Sequence, residues 1–373
     1  MALVLRLSFL WLPATTFRRL PSPMPQLHPF PRYYHLPPGR VAGQLPVTRH
    51  GIRALDPFPF VPTQGPVFAQ LEVTPLDGSA PAVRGLCGLL PARAFTDGYV
   101  RPHENTLASR LTRQRQLVLG DHGALGKPVL LASDTAISPT LLPPVPEEAT
   151  AVVYDCGGYR YRLVDLPAPA IPLILPDTLV IADGHHRAYT HAILAAEGHP
   201  RFGHIPVVIV AGEQLRIGAF QRLIDPAGHP NLPKLLAALA PYFTAERLPA
   251  PTPVTRRGDW LLTYRGECVR LRRRDAQVRG TDPGWLTEVV LPAVFGIDDL
   301  RTDPRIASIE PPPLTATGTY DLSGMPDDRI SLLGYPIDHA RFFTEVAAGR
   351  LFPPKSTRFT PRIPSGLLVW LPD

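Results

Sequence analysis

A strand, a polar turn, a helix and a second strand follow one another within residues 178–210, and this stretch constrains the fold more than any other. Residues 178–182 are a short, apolar, β-rich run that predicts a buried strand. From His185 onward, apolar side chains recur at the spacing of an amphipathic helix, which Gly198 ends. Residues 205–210 are apolar again, and we expect them to form a strand beside the first. The turn between the first strand and the helix therefore lies at a helix N-terminus.

This turn carries five residues suited to binding an anion: Asp183, Gly184, His185, His186 and Arg187. The unpaired N–H groups and positive dipole of a helix N-terminus suit a phosphate. Glycine lets the backbone approach a ligand, arginine binds phosphate oxygens through two N–H groups, and aspartate holds Mg²⁺ or orients a histidine. The alternative is a helix cap with two solvated histidines. Five such residues between a strand and a helix favour a functional site.

A second polar stretch lies within residues 97–132. A helix is expected to begin near Asn105, and a short strand follows it at the end of the stretch. Arg101, His103 and Glu104 come just before that helix. A carboxylate at this position either takes part in chemistry or complements the helix dipole. This stretch alone leaves both interpretations open.

The composition predicts a globular protein with many loops. The chain has 373 residues, of which 45% are hydrophobic, enough for a sizeable core. Its 48 prolines and 29 glycines make up about a fifth of the chain, which favours short elements. The net charge of +6 is spread along the chain except for residues 270–274, which we interpret as the solvated face of a hairpin. Spread charge fits an anionic small ligand as well as nucleic acid, so nucleic acid is not the expected partner.

The cysteines and the apolar runs indicate where the protein is located, and the sequence also suggests how the chain is divided. Three cysteines without a paired spacing indicate a reducing cytoplasm, and no run is long enough to span a membrane. We expect residues 1–40 to be an extended or disordered N-terminal extension and residues 41–373 to form one domain, with an insertion at 134–176. The oligomeric state is left open. Further strands are expected at 67–73, 82–90, 151–155, 159–164, 220–224, 260–264 and 268–272, and further helices at 232–243, 285–295 and 339–348.

A third polar motif lies near the end of the chain. Lys355, Ser356 and Thr357 follow two prolines, and this lysine is one of only three in the chain. A lysine beside two hydroxyls is suited to phosphate, although the P-loop pattern is absent. The alternative is a packed C-terminal segment with the lysine on the surface, and the sequence does not decide between them.

Taken together, the motifs resemble a known family. The segments IADGHHRAYTHAIL (181–194), RPHENT (101–106) and LFPPKSTRFTPRIPSGLL (351–368) resemble, in order and spacing, the family catalogued as domain of unknown function 1015. Residues 97–132 and 178–211 also resemble the ParB/sulfiredoxin-type fold. The resemblance implies a mixed α/β (α+β) fold in which a ParB/sulfiredoxin-like core carries large inserted and flanking segments.

The core is similar to that of the free-serine kinases built on the ParB-like fold, and this similarity implies roles for the motif residues. Glu104 would be the base on the acceptor hydroxyl, and Asp183 and His185 would join it as catalytic residues. Asp183 would hold Mg²⁺. The expected contacts to the nucleotide and its phosphates are His103, Gly184, His186, Arg187, Arg101 and Lys355.

We therefore expect a small-molecule kinase that transfers a phosphoryl group from ATP or ADP, with Mg²⁺, to a hydroxy amino acid such as free L-serine. Its partners would be the nucleotide and the small hydroxylated substrate. The first alternative is a nucleotide-binding regulator without turnover, which would not need Glu104. The second is a metal-dependent hydrolase with His103, Asp183, His185 and His186 as ligands, although the usual ligand spacing is absent.

Overall fold

The protein combines several β-sheets with a few helices, so its fold class is mixed α/β as predicted. The computed structural model describes residues 24–37, 40–42, 51–104, 108–137, 142, 151–167, 173–275 and 280–373. The strands are β1 Tyr34–His35, β2 Arg40–Ala42, β3 Val61–Pro62, β4 Val67–Pro75, β5 Val83–Pro91, β6 Val100–Arg101, β7 Val129–Ser133, β8 Ala151–Cys156, β9 Tyr159–Pro167, β10 Leu179–Asp183, β11 His204–Ala211, β12 Arg216–Gly218, β13 Gln221–Ile224, β14 Phe243–Leu248, β15 Asp259–Tyr264, β16 Glu267–Arg273, β17 Ile306–Ile309, β18 Ile330–Gly334 and β19 Arg358–Thr360.

Helices are fewer and mostly short in the described part of the chain. The α-helices are α1 Arg93–Thr96, α2 Ala108–Gly120, α3 His185–Ala196, α4 Leu232–Leu239, α5 Asp282–Trp285 and α6 His339–Ala347. Two 3₁₀ turns cover Pro200–Phe202 and Gly212–Gln214, and a π-helix covers Leu286–Phe295.

The larger sheet holds nine strands within the described residues, in the order β2-β8-β9-β4-β5-β11-β7-β10-β6. The predicted hairpin of β4 and β5 is confirmed, with Ala69 opposite Cys87. The hairpin of β8 and β9 is also confirmed, and β9 pairs with β4 along its length. The segment expected as an insertion therefore contributes two strands to the same sheet.

One predicted neighbour relation is wrong. We expected residues 205–210 to lie beside the strand that leads into the polar turn. Instead β11 pairs with β5 and, in parallel, with β7, and β7 separates it from β10. Periodicity identifies both strands as buried, but it carries no information on which strand lies between them.

Apolar layers cover both faces of the larger sheet. On one face lie side chains of α1 and α3, such as Phe95, Ala188 and Ala192. On the other lie the N-terminal stretch with Phe30, α6 with Phe342, and the C-terminal residues 367–370. Since both faces are covered, a central strand such as β7 is buried along its whole length rather than at alternate residues.

The N-terminal stretch is extended and packed. Residues 1–23 of the expected extension lie outside the described residues. The main-chain N–H and C=O of Phe30 both pair with Val67 at 2.8 and 2.9 Å, and the Phe30 side chain is fully buried. Tyr33 is buried as well, and its hydroxyl donates to Asp165 at 2.5 Å. Residues 24–37 therefore serve as part of the cover of the larger sheet.

The second sheet has the order β14-β16-β15-β18-β13-β17 within the described residues, and its core is covered by α4 and the π-helix. The predicted hairpin of β15 and β16 is confirmed. The helix expected over residues 232–243 ends at Leu239, and β14 already begins at Phe243. The helix expected over 285–295 is a short α-helix followed by a π-helix, which contains Pro292. Proline has no N–H to donate within a helix, so regular α-helical bonding is interrupted there.

The basic run at residues 270–274 is only partly solvated, which corrects its interpretation as a solvated face. Arg270 pairs with Glu246 at 3.1 Å, and Arg272 is exposed and pairs with Asp259. Arg273 is instead buried, with its guanidinium carbon 3.9 Å from the centre of the Trp285 ring. The side chain turns inward because successive strand residues alternate between the two faces of a sheet.

None of the helices in the described residues is both long and apolar enough to cross a membrane.

Candidate functional site

Two parallel strands at the edge of the larger sheet bring the polar motifs together. β6 runs parallel to β10, with Val100 opposite Leu179. The carboxyl ends of parallel strands lie at the same edge of a sheet, so Glu104, just after β6, meets the turn that begins at Asp183. β7 runs antiparallel to β10, which places Lys127, two residues before β7, at the same edge. The sheet topology thus assembles residues that are far apart in sequence.

These residues line a cleft of about 190 Å³. Eight of the nine expected site residues line it, and the C-terminal motif closes one side. Arg101 is the exception, because its guanidinium donates to the carbonyl of Ala347 at 2.9 Å and lies outside the lining. The lining consists of His103, Glu104, Gln114, Ala182, Asp183, Gly184, His185, His186, Arg187, Phe220, Lys355, Thr357, Phe359 and Arg362.

The turn requires glycine at position 184. Gly184 is the residue before α3 and has a φ of 109°, in the left-handed region. A Cβ atom at this position would lie 2.6 Å from Nη2 of Arg187. A larger residue would therefore strain the backbone and displace the arginine side chain. Glycine is needed here both for the turn and for the position of Arg187.

Asp183 is held by two cations. Its Oδ2 lies 2.8 Å from Nζ of Lys127 and 3.3 Å from Nη2 of Arg187. Burial alone would raise the pKa of Asp183, but the two positive charges outweigh it and hold this pKa well below its ordinary value. The carboxyl group is therefore ionised at any physiological pH.

Lys127 was missed in the sequence analysis. Burial lowers the pKa of its amino group, and the charge of Asp183 opposes that shift. The rarity of lysine in this chain was the one available signal. No local pattern connects Lys127 to Asp183, because their contact depends on how β7 and β10 pair.

Arg187 has a polar atom that the protein leaves unpaired. Its Nη2 donates to Asp183 and also to the carbonyl of Pro128, each at 3.3 Å. Its Nε is fully buried and has no hydrogen-bond partner. A buried N–H without an acceptor costs free energy, so this atom is a candidate for binding an oxygen of a ligand.

Both carboxylate oxygens of Glu104 have a neighbouring group in the protein. Its Oε2 accepts a hydrogen bond from the main-chain N–H of Lys355 at 3.0 Å. Its Oε1 lies 3.8 Å from Nδ1 of His185. Lys355 adopts a φ of 59°, which is unusual for a residue other than glycine. Backbone strain of this kind is concentrated at functional sites.

His103 and His185 line the cleft, although both side chains are almost completely buried. His103 donates from Nδ1 to the carbonyl of Ile181 at 2.6 Å, and its Nε2 lies 2.8 Å from the hydroxyl of Thr357. Both of its ring nitrogens are therefore engaged by the protein, which argues against the expected phosphate contact. Burial lowers the pKa of both histidines, and the neighbouring His103 adds to the shift of His185.

Cationic and aromatic residues form the opposite side of the cleft. Lys355 places Nζ 5.0 Å from the centre of the Phe220 ring, and Arg362 lies 5.9 Å from the same ring. Arg222, which sequence reasoning missed, is buried nearby and donates to the carbonyl of Pro354 at 3.0 Å. Burial lowers the pKa of Arg222 to about 10, although the charge of Glu104 opposes this. The positive charges suit an anionic ligand.

The carboxylates that line the cleft could contribute to a magnesium site. Protein sites for such ions supply one or two carboxylates, and the phosphates and water complete the coordination. Asp183 is the ionised carboxylate beside the turn. Among the residues that the structure describes, no group of three or more His, Cys, Asp or Glu side chains is placed to hold a metal by itself. The hydrolase alternative, which needs such a group, has no support in this part of the chain.

Several solved structures are similar to this chain at low sequence identity. They include SbnI from Staphylococcus aureus with a C-terminal truncation (14% identity, 75% of this chain and 85% of that chain, TM-score 0.42). A free serine kinase in complex with AMP (17%, 74% and 87%, TM-score 0.38) and a conserved hypothetical protein from Pyrococcus furiosus (16%, 75% and 93%, TM-score 0.38) are also similar. At these TM-scores, the similarities carry no conclusion about this chain.

A comparison with curated protein sequences finds no match. A family model does match, over residues 60–291, which is more than half of the chain. The matched region contains β4, the cleft residues Glu104 and Asp183, and most of the second sheet. The chain therefore belongs to the family described as protein of unknown function DUF1015.

Proposed function

We propose that this protein is a small-molecule kinase that transfers a phosphoryl group from ATP or ADP to the hydroxyl of a hydroxy amino acid. Free L-serine is the acceptor to test first. The observation that carries the proposal is one cleft in which a carboxylate, Glu104, faces a phosphate-suited turn, Asp183–Arg187. The resemblance of both motifs to free-serine kinases supports the same assignment.

Glu104 has the position of a general base. It lines the cleft, and contacts with Lys355 and His185 orient its two oxygens. In the proposed reaction Glu104 takes the proton of the acceptor hydroxyl, whose oxygen forms a new bond to phosphorus. The bond from phosphorus to its bridging oxygen breaks, and the nucleotide leaves as ADP or AMP.

The N-terminus of α3 has the properties of a phosphate-binding site. The first N–H groups of a helix have no partner within the helix, and its dipole favours negative charge there. Gly184 lets the backbone come close, and the buried Nε of Arg187 offers a further N–H. Phosphoryl transfer depends mainly on positioning and charge neutralisation, which such groups supply.

Asp183 would hold Mg²⁺, which neutralises phosphate charge when it is bound. Lys127 and Arg187 keep the Asp183 carboxylate ionised and fixed in place. Lys355 and Arg362, across the cleft, would add positive charge near the transferred group. Charge and position at the cleft support each of these proposed roles.

The test is ³¹P NMR of the purified protein with ATP or ADP, Mg²⁺ and a panel of hydroxy amino acids. We expect a phosphomonoester signal that requires one acceptor. Glu104→Gln should lower the rate at least about a hundredfold, because general-base catalysis contributes that much or more. Glu213→Gln is the matched control, since Glu213 is exposed and outside the cleft, and it should react like the wild type.

One outcome would contradict the role of Glu104, and another would contradict the kinase itself. If Glu104→Gln turns over as fast as the wild type, Glu104 is not the base. If no acceptor is phosphorylated but the nucleotide signals broaden, and Arg187→Ala removes the broadening, the protein is a nucleotide-binding regulator instead.

A further inference from the structure

A continuous set of buried contacts runs from the C-terminal motif to Glu104. Thr357 contacts His103 at 2.8 Å, and the main-chain N–H of His103 donates to Nε2 of His185 at 3.4 Å. His185 then presents Nδ1 to Oε1 of Glu104 at 3.8 Å. Thr357, His103 and His185 are each less than 10% exposed. We call these three residues and Glu104 the buried chain.

The protonation of His103 follows from its partners. The carbonyl oxygen of Ile181 can only accept, so the Nδ1 atom that contacts it at 2.6 Å must carry a hydrogen. Burial lowers the pKa of this imidazole, so the ring is neutral and Nε2 has no hydrogen. Nε2 therefore accepts from the hydroxyl of Thr357. The rings of Phe342, Phe352 and Phe359 surround the imidazole, with centres 5.2, 6.2 and 5.6 Å away.

The same argument shows which ring nitrogen of His185 carries the hydrogen. A main-chain N–H can only donate, so Nε2 of His185 accepts from His103 and carries no hydrogen. An imidazole without a hydrogen on Nε2 carries one on Nδ1, which is the atom that faces Glu104. The two rings meet edge to face with centres 4.5 Å apart, which leaves His185 little freedom to turn.

We propose that the buried chain positions Glu104 for proton abstraction, with Thr357 and His103 holding His185 as a fixed N–H donor to the carboxylate. The proposal rests on the proposed function. At 3.8 Å the last contact is longer than a hydrogen bond, and such contacts often shorten only when substrate is bound. His185 and Thr357 are thus positioning residues.

The buried chain cannot carry a proton away from Glu104. Nδ1 of His185 already carries a hydrogen, and the N–H of His103 occupies Nε2. The proton that Glu104 takes from the acceptor therefore stays on Glu104 until it leaves through the cleft. This distinguishes the arrangement from a Ser-His-Asp triad, in which the histidine itself accepts the proton.

Two pairs of variants test the proposal by kinetics. In His185→Asn the amide nitrogen replaces Nδ1, and in His185→Gln it replaces Nε2. We expect the asparagine variant to keep a kcat at least about tenfold above that of the glutamine variant, because only asparagine keeps the donor to Glu104. Thr357→Val should lower kcat about tenfold without changing KM for the nucleotide, and Thr357→Ser should restore it.

NMR of the histidine rings gives a readout that needs neither turnover nor folding of a variant. Protein labelled with ¹³C and ¹⁵N in histidine should show two buried neutral rings with the hydrogen on Nδ1. Either ring with its hydrogen on Nε2 would overturn the proposal. Equal kcat for His185→Asn and His185→Gln, with a folded protein by circular dichroism, would also overturn it.

Failure of the proposed function would look different. In that case the wild type would phosphorylate no acceptor, whatever the histidine spectra show. If the wild type does turn over and Glu104→Gln does not, while both pairs of variants behave alike, only the positioning role fails.

Discussion

Two glycines at the ends of α3 share a backbone conformation and differ in their surroundings. Gly184 precedes the helix with a φ of 109°, and Gly198 follows it with a φ of 86°. A Cβ atom at Gly184 would lie 2.6 Å from the guanidinium of Arg187, whereas a Cβ atom at Gly198 would have no neighbour within 4 Å. Substitution at Gly198 would therefore strain only the backbone, whereas substitution at Gly184 would also displace the side chain of Arg187.

We predict that Gly184→Ala and Gly198→Ala each destabilise the protein by about 1–2 kcal/mol, because both put alanine in the left-handed region. Only Gly184→Ala should also weaken nucleotide binding, by at least about tenfold, since it moves Arg187. Urea unfolding measures the first effect and isothermal titration calorimetry the second. Equal nucleotide affinity for the two variants would show that Arg187 is not a phosphate contact.

The sequence was informative about the site where its residues are adjacent. The Asp183–Arg187 turn and the position of Glu104 before a helix could be identified from local patterns alone. The link between Lys127 and Asp183 could not be found, nor could the link between Thr357 and His103, because each joins distant parts of the chain. Local spacing predicts which residues share a turn, whereas sheet pairing decides which turns meet.

At the scale of elements, the arginines of β16 lie on both faces of the second sheet, because successive residues of a strand point to opposite faces. Arg270 lies on the face where it pairs with Glu246, and Arg273 points into the core of the second sheet against Trp285. Two nitrogens of the Arg273 side chain, Nε and Nη1, are buried and have no hydrogen-bond partner. The Trp285 ring, together with the carboxylate of Asp275 at 3.7 Å from Nη2, compensates for the burial of the guanidinium.

We predict that Arg273→Ala destabilises the protein by about 2 kcal/mol, through loss of a desolvated cation–π contact and of the packing of its stem. Arg270→Ala, the control on the same strand, should cost less than about 1 kcal/mol, as exposed ion pairs do. Urea unfolding monitored by Trp fluorescence compares them. A cost for Arg270→Ala equal to that of Arg273→Ala would mean that burial of Arg273 is not decisive.

Element types were more predictable than element neighbours. The alternation in β4 and the helical period from His185 both gave the observed element. The π-helix could not be predicted, because the apolar spacing of residues 285–295 suits an α-helix and only the effect of Pro292 on the local bonding changes it. The end of α4 was missed for a similar reason, since Phe243 continues the apolar pattern but belongs to β14.

At the scale of the whole molecule, His191 lies where three separate parts of the chain meet. It sits on α3, its ring nitrogens contact the carbonyls of Arg187 and Gly123, and its ring packs 5.0 Å from that of Phe202. Burial lowers its pKa to about 4, although the two carbonyls, to which only the charged ring could donate from both nitrogens, oppose the shift. The native protein therefore holds His191 neutral at pH 7.

We predict an acid-dependent loss of stability from this residue. Because the folded pKa lies below the unfolded value of about 6.5, the contribution is complete above pH 6.5 and is lost as the pH falls towards 4. The full loss is on the order of 3 kcal/mol. Urea unfolding between pH 7 and pH 4 should show a weaker pH dependence for His191→Gln than for the wild type. The exposed His199→Gln should behave as the wild type does; an unchanged profile for His191→Gln would contradict the prediction.

The C-terminal residues that complete the cleft also set when it can form during synthesis. Glu104 and the turn at Asp183–Arg187 leave the ribosome long before Lys355, Thr357 and Arg362, which are about 170 residues further along. At about 5–20 residues per second, that interval lasts roughly 10–30 seconds. Throughout that time the nascent chain carries its proposed base and its phosphate-binding turn without the backbone N–H that orients Glu104. A nascent chain that has not yet reached Lys355, Thr357 and Arg362 therefore lacks one wall of the cleft.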